Sequence, residues 1–286
     1  MDRRQHRRAG RTGAATVILL GLAAGACGCW GSGAAAEDVT GADDPLGALH
    51  RAARALRDAG SSKAGTSMEM ATGGTRVTIR GRGVYDYRRR LGRLTVMLPA
   101  DPTGAAGHRP ITELLTPDAL YMKNRGAGVP ADKWVRVETA TLTDGNLVTG
   151  GATDPYVAAE LLRGAREAIF VGRTELAGTA VRHYRGTADL GHAARYASAG
   201  NRAALAAAAK GFATARVPFD AYLDDQGRIR KLRQRFSFSN GHAKATVAVA
   251  STLLLYGFGA PADIRLPAPA DIYTGRVAGD EPAESG

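Results

Sequence analysis

The side chain whose setting points most directly to chemistry is Cys27, preceded by Ala24-Gly25-Ala26 at the end of the uncharged run from Ala14. Arg3, Arg4, Arg7, Arg8 and Arg11 lie ahead of that run. A basic start, a short apolar stretch and small residues before a cut site form a secretory signal. The stretch is shorter than the roughly 20 residues a spanning helix requires. Small residues directly before a cysteine resemble a bacterial lipobox, whose cysteine sulfur receives a diacylglyceryl group. Lipoboxes usually carry Leu where this chain has Ala24, and Cys29 is a second acceptor with a poorer approach. The other open readings are an ordinary secreted protein cut after Ala26 and an uncleaved anchor. Two acyl chains anchor a protein stably where one is marginal, at about 0.8 kcal/mol per buried methylene.

Reaction chemistry finds less support. The sequence holds no Gly-x-Ser-x-Gly, His-Glu-x-x-His, phosphate-binding glycine loop or Cys-x-x-Cys. His50, His108, His183, His192 and His242 are scattered, so no metal site and no cofactor is expected, and the chain does not read as an enzyme. Cys27 and Cys29 are its only cysteines, so no disulfide framework supports the rest and stability must come from packing. The net charge is +11 and spread along the chain, which suits a surface near anionic lipid rather than nucleic acid.

The elements that must position any binding site are legible from periodicity. Residues 1–26 read as the signal, 27–43 as a lipidated start and Gly/Ala-rich tether, 44–273 as one domain, and 274–286 as a tail. Asp44-Pro45 and Asp154-Pro155 are helix starts, with Asp as cap and Pro at the first position. Leu46, Leu49, Ala53 and Leu56 follow the first, and Gly60 ends it. Val157, Leu161, Leu162, Ala165 and Ile169 follow the second. From Ser62 the period is two, with Ala64, Thr66, Met68 and Met70 on one face. Gly73-Gly74 turns the chain, and Val77 and Ile79 alternate on the return. Strands follow at 83–89, 93–98, 119–123 and 133–138, a meander of five or six, with a long loop from Pro99 to Pro110. Later strands fall at 170–176, 180–189, 219–223, 229–238 and 245–256. The alanine-rich segment Leu190–Phe212 reads as helix broken near Gly191 and Ala199-Gly200. Strand and helix blocks in this order imply an α+β fold, one antiparallel sheet with helices gathered on one face.

The inner faces of those strands carry the candidate ligand-binding residues: Met68, Met70, Val77, Ile79, Leu94, Val96, Leu120, Leu161, Leu232 and Phe236, with Phe238 beyond. Such residues can simply form a core. Aromatics are only 6% of the chain, however, and aliphatic and Met walls suit a smooth cavity for acyl chains.

Two segments carry a family resemblance. Gly178–Thr187 (Gly-Thr-Ala-Val-Arg-His-Tyr-Arg-Gly-Thr) is one. The other is Val217–Leu232, which includes Phe219-Asp220-Ala221-Tyr222-Leu223-Asp224-Asp225-Gln226-Gly227. They resemble actinobacterial lipoproteins of the LppX/LprG kind, within the LolA-like superfamily of lipoprotein carriers. Tyr256-Gly257-Phe258-Gly259 and Ile264-Arg265-Leu266-Pro267 resemble that family's C-terminal end. The resemblance implies a curved half-barrel sheet with helices packed on its concave face. It also implies a hydrophobic cavity for acylated lipids or lipoproteins, and a carrier role at the membrane with an envelope transport protein as a further partner. It assigns no polar ligand contact. The rival expectations are a sensory or protein-interaction lipoprotein on the same scaffold, and an envelope enzyme with an unfamiliar site.

Overall fold

The computed structural model describes residues 44–72, 74–99, 109–240 and 245–275. Cys27, Cys29, the signal, the tether and most of the tail lie outside them. Eleven strands form one open antiparallel sheet made of two meanders. The first comprises β1 (Ser61–Thr72), β2 (Thr75–Asp86), β3 (Leu91–Met97), β4 (Ile111–Leu115), β5 (Ala119–Lys123) and β6 (Trp134–Glu138). The second comprises β7 (Ala165–Leu176), β8 (Thr179–Asp189), β9 (Arg216–Leu223), β10 (Ile229–Asn240) and β11 (Ala245–Tyr256). The two join where β1 pairs with β11, so the first and last strands lie side by side in mid-sheet, with β6 and β7 at its edges. This is the α+β half-barrel expected from the sequence, with the helices on the concave face.

Both Asp-Pro starts are real caps. In α1 (Pro45–Ala59) the Asp44 carboxylate accepts from the Gly47 N–H at 2.7 Å, and Gly60 closes the helix at φ +81°. Its buried face is Leu49, Ala52, Ala53 and Leu56, the spacing of one helical stripe. In α2 (Pro155–Leu161) the Asp154 carboxylate accepts from the Tyr156 and Val157 N–H groups at 2.7 and 3.0 Å. It also accepts from the Tyr85 hydroxyl at 3.2 Å. Burial pushes the Asp154 carboxyl up to about 6, against the pull of these donors.

The apolar stripe expected to continue to Ile169 does not stay helical. After one 3-10 turn at Leu162–Gly164 the chain becomes β7, and Ile169 is 62% exposed on it. Ala177 and Gly178, at φ +48° and +76°, form a two-residue turn whose twist matches the strands it joins. That hairpin recruits Ala165–Leu176, and ladder pairing overrides the weaker helical pattern. β2 runs unbroken where two segments were expected, and Ile111–Leu115 adds a strand not assigned from the sequence. The alanine-rich segment divides into α3 (Leu190–Tyr196) and α4 (Ala199–Gly211), with the break at Ala197-Ser198, next to the expected Ala199-Gly200, and none at Gly191.

Small residues let α4 approach the loop that follows β6. A Cβ on Gly211 would overlap the carbonyl oxygen of Thr143, and one on Gly145 the carbonyl of Ala204. Gly211→Ala is therefore expected to lower the unfolding free energy by about 2–3 kcal/mol, the cost of overpacking a tight contact. Gly191→Ala, whose Cβ meets only ordinary contact at 3.4 Å, should be neutral or stabilising. Urea unfolding of the two variants checks both signs.

Candidate functional site

The inner residues of the central strands meet two different environments along their length. Nearer α1 they pack against helices. Met68, Leu94, Val96, Leu120, Leu161, Leu232 and Phe236 join one core with Leu49, Leu56 and Tyr85. Towards the hairpin tips the helices stop and a cavity of 800 Å³ opens beneath the sheet. Met70 of β1, Ile79 of β2, Phe238 of β10 and Val247 of β11 form its sheet side, with Leu98 and Ile111 beside them. Asn124, Arg125 and Gly126, just after β5, add a polar rim. The opposite wall is the loop 143–151, through Thr143, Asp144, Val148, Thr149 and Gly151.

Of the ten candidate residues from the sequence, the structure brings Met70 and Ile79 together at this cavity. Val77 is 37% exposed beyond it, and the other seven belong to the packed core. Val247, which alternates with Val249 on β11, and Ile111, whose strand is only five residues long, join Met70 and Ile79 there without having been candidates from the sequence. Val148 carries no periodic signal, because a glycine-rich loop presents it.

Asp144 builds that loop. Its carboxylate is 1% exposed and accepts from the N–H groups of Asn146, Val148 and Thr149 at 3.1, 2.7 and 2.6 Å, and from the Thr149 hydroxyl at 2.9 Å. Beside the loop, on the inner face of β4, Glu113 is fully buried. Burial raises its carboxyl to about 8, with the Arg125 charge pulling it back. Arg125 is itself tied to the loop through the Thr149 carbonyl at 3.3 Å.

Two other places gather charged side chains. A 610 Å³ crevice at the opposite end lies between α1 and the β9–β10 turn and is lined by Arg51, Arg54, Arg182 and Arg228. Each of these has a carboxylate within reach: Asp44, Asp58, Asp225 and Asp224 at 3.5, 3.8, 3.9 and 2.8 Å. The crevice is a charge-compensated surface. On the convex face His183 Nε2 lies 2.9 Å from Asp220 Oδ1, and its ring stacks on Tyr222 at 4.2 Å. Asp220 also binds Arg185 and Arg235 at 2.9 and 3.2 Å, which makes a salt-bridge network. No hydroxyl or thiol nucleophile is among its hydrogen-bond partners within the described residues. Among those residues no group of three His, Cys, Asp or Glu side chains could hold a metal, and no helix is long and apolar enough to cross a membrane.

Neither a family model nor a curated protein matches the chain. Solved structures do. LprF from Mycobacterium bovis is similar at 14% identity and a TM-score of 0.39, over 79% of this chain and 98% of that one. Lipoprotein LppX from Mycobacterium tuberculosis is similar at 9% identity and 0.40, over 77% and 99%. A LolA superfamily protein from Nitrosomonas europaea is similar at 9% and 0.32, over 73% and 92%. The kinds of protein named from the sequence are thus among those the chain is similar to. The two segments that carried that resemblance fall on β8 and on β9, its turn and β10.

Proposed function

We propose that this protein is an extracytoplasmic lipoprotein, held to the cell membrane through Cys27, that binds a lipid or acylated ligand in the cavity beneath its sheet and carries it within the cell envelope. The observation that carries the reading is the 800 Å³ space lined by Met70, Ile79, Leu98, Ile111, Phe238 and Val247. Ligand cavities are commonly of this size and are mostly apolar with a few polar groups. Each methylene withdrawn from water into such a space contributes about 0.8 kcal/mol before the costs of association. A flexible Met and a loop wall adapt to chains of varied shape. The reading involves no chemical step, and binding and release suffice.

Native mass spectrometry of the full chain extracted from bacterial envelopes tests it. The expected result is protein carrying acylated mass that Val247→Trp, which projects a bulky ring into the cavity from β11 and obstructs it, loses. Absence of bound lipid together with no uptake of an added fluorescent acyl ligand would overturn the reading and favour a protein-interaction role. The anchor is tested separately by metabolic labelling with an alkynyl fatty acid. Cys27→Ser is expected to abolish the label and Cys29→Ser to keep it. Label that persists in Cys27→Ser places the anchor elsewhere.

A further inference from the structure

Buried carboxylates in this fold generally have full sets of partners. Glu160, fully buried, accepts from Ser198 N–H and Oγ at 2.9 Å each and from Asn201 Nδ2 at 2.6 Å. Asp144 and Asp154 are similarly supplied. Glu113 is the exception. It lies opposite Leu94 on β3 and Met122 on β5, and neither of its oxygens has a hydrogen-bond partner. Asn146 Oδ1 is buried and unpartnered too. The two residues face each other across Gly150. The point a Cβ on Gly150 would occupy lies 3.1 Å from Glu113 Oε1, 3.2 Å from Glu113 Oε2 and 3.2 Å from Asn146 Oδ1. Three buried oxygens without partners therefore converge beside a residue that has no side chain.

That point adjoins the cavity. Thr149 and Gly151, on either side of Gly150, line it, and so does Ile111, two residues before Glu113 on the same face of β4. Glu113, Asn146 and Gly150 do not themselves line the cavity, but the neighbours of each along the chain do. We propose that Glu113 and Asn146 form a polar anchor at the inner wall of the cavity, which takes a hydroxyl of the ligand headgroup when the Gly150 segment shifts outward. The proposal deepens the lipid-binding reading and rests on it. A hydroxyl suits the chemistry better than an ion. Burial keeps the Glu113 carboxyl protonated at neutral pH, so it donates as well as accepts, as a hydroxyl does. An anion would meet acceptors, and an ammonium would require a buried acid to ionise. Unpartnered buried acceptors are costly, so a donor that reaches them is favoured beyond its own hydrogen bond.

The test compares 1-palmitoylglycerol, which has two free hydroxyls, with methyl palmitate, which has none, by displacement of a fluorescent fatty acid from the delipidated full chain. The wild type is expected to bind the monoacylglycerol about tenfold more tightly. Glu113→Leu removes the acid, whereas Gly150→Ala keeps it and fills the point of convergence. Both variants are expected to bind the two ligands equally, at the affinity of the methyl ester. Equal affinities in the wild type overturn the proposal and assign the acceptors to ordered water. A preference that survives in either variant overturns it as well. Displacement by neither ligand, with the fluorescent fatty acid bound, overturns this proposal alone, whereas failure of the fluorescent fatty acid itself to bind overturns the carrier reading and this proposal with it.

Discussion

Asp144→Ala is expected to lower the unfolding free energy by roughly 3 kcal/mol and to speed ligand release at least tenfold. Its carboxylate gathers three backbone N–H groups and the Thr149 hydroxyl into a loop that has no regular secondary structure. Bonds to a charged acceptor contribute about 1.5–3 kcal/mol each, and they are not additive because freed donors near the cavity can reach water. The fold itself should survive, since the Glu160 and Asp154 networks lie on other elements. Removal of the four bonds therefore acts mainly on the wall. Asp144→Asn should fall between, because an amide keeps one acceptor and turns a donor towards the N–H groups. Urea midpoints and stopped-flow release of a fluorescent acyl ligand measure the two effects. A variant with unchanged midpoint and release rate would show that the loop is held by its glycine contacts with α4 alone.

Glu113 gives the second large effect, in the pH dependence of stability. Its carboxyl rises from 4.5 to about 8 on folding, so between these values the folded chain holds a proton that the unfolded chain has lost. Stability then falls as pH rises through that window, by up to about 1.4 kcal/mol per unit from this group, and levels off above it. Asp154 acts with the same sign over a lower window, from 3.8 to about 6. Glu113→Gln is expected to flatten the profile between pH 6 and 8 and leave the acid-side slope due to Asp154. Glu113→Leu should exceed the wild type in stability at pH 8, because an uncompensated buried acid is removed. Urea unfolding at pH 5 to 9 is the measurement. Parallel profiles for wild type and Glu113→Gln would mean that the carboxyl finds a partner once ionised.

Much of the fold was legible because it rests on local signals. Asp-Pro pairs start both helices at 44–45 and 154–155, the Met68–Met70 alternation sets the face of β1, and Asp224–Gly227 turns β9 into β10. Residues 165–169 were not, since their conformation is decided by pairing with β8, while the strand expected at 170–176 is the rest of β7. The cavity was legible in kind but not in place. Met68 is buried in the core, and Met70, two residues on, borders the cavity; Phe236 and Phe238 divide the same way, as do Val249 and Val247. Each pair is of one type on one face of one strand. What separates its members is where the helices end beneath the sheet, and alternation carries no record of that. Glu113 was overlooked for a related reason. Its five-residue strand was not assigned from periodicity, and the loop across Gly150 that lies beside it is near only in three dimensions.

The central pairing of β1 with β11 also bears on how the molecule is made. A chain that has emerged only to Asn240 can form the first meander and β7 to β10 of the second, yet it leaves two bare twelve-residue edges, on β1 and β10, that only β11 can cover. Ladder contacts between Lys63 and Tyr256 close a loop of nearly the whole domain, and such long-range closures make folding slow. The chain must therefore have been made as far as Tyr256 before the sheet can zip. Until then each nascent molecule exposes sticky edges that invite aggregation and holding by chaperones.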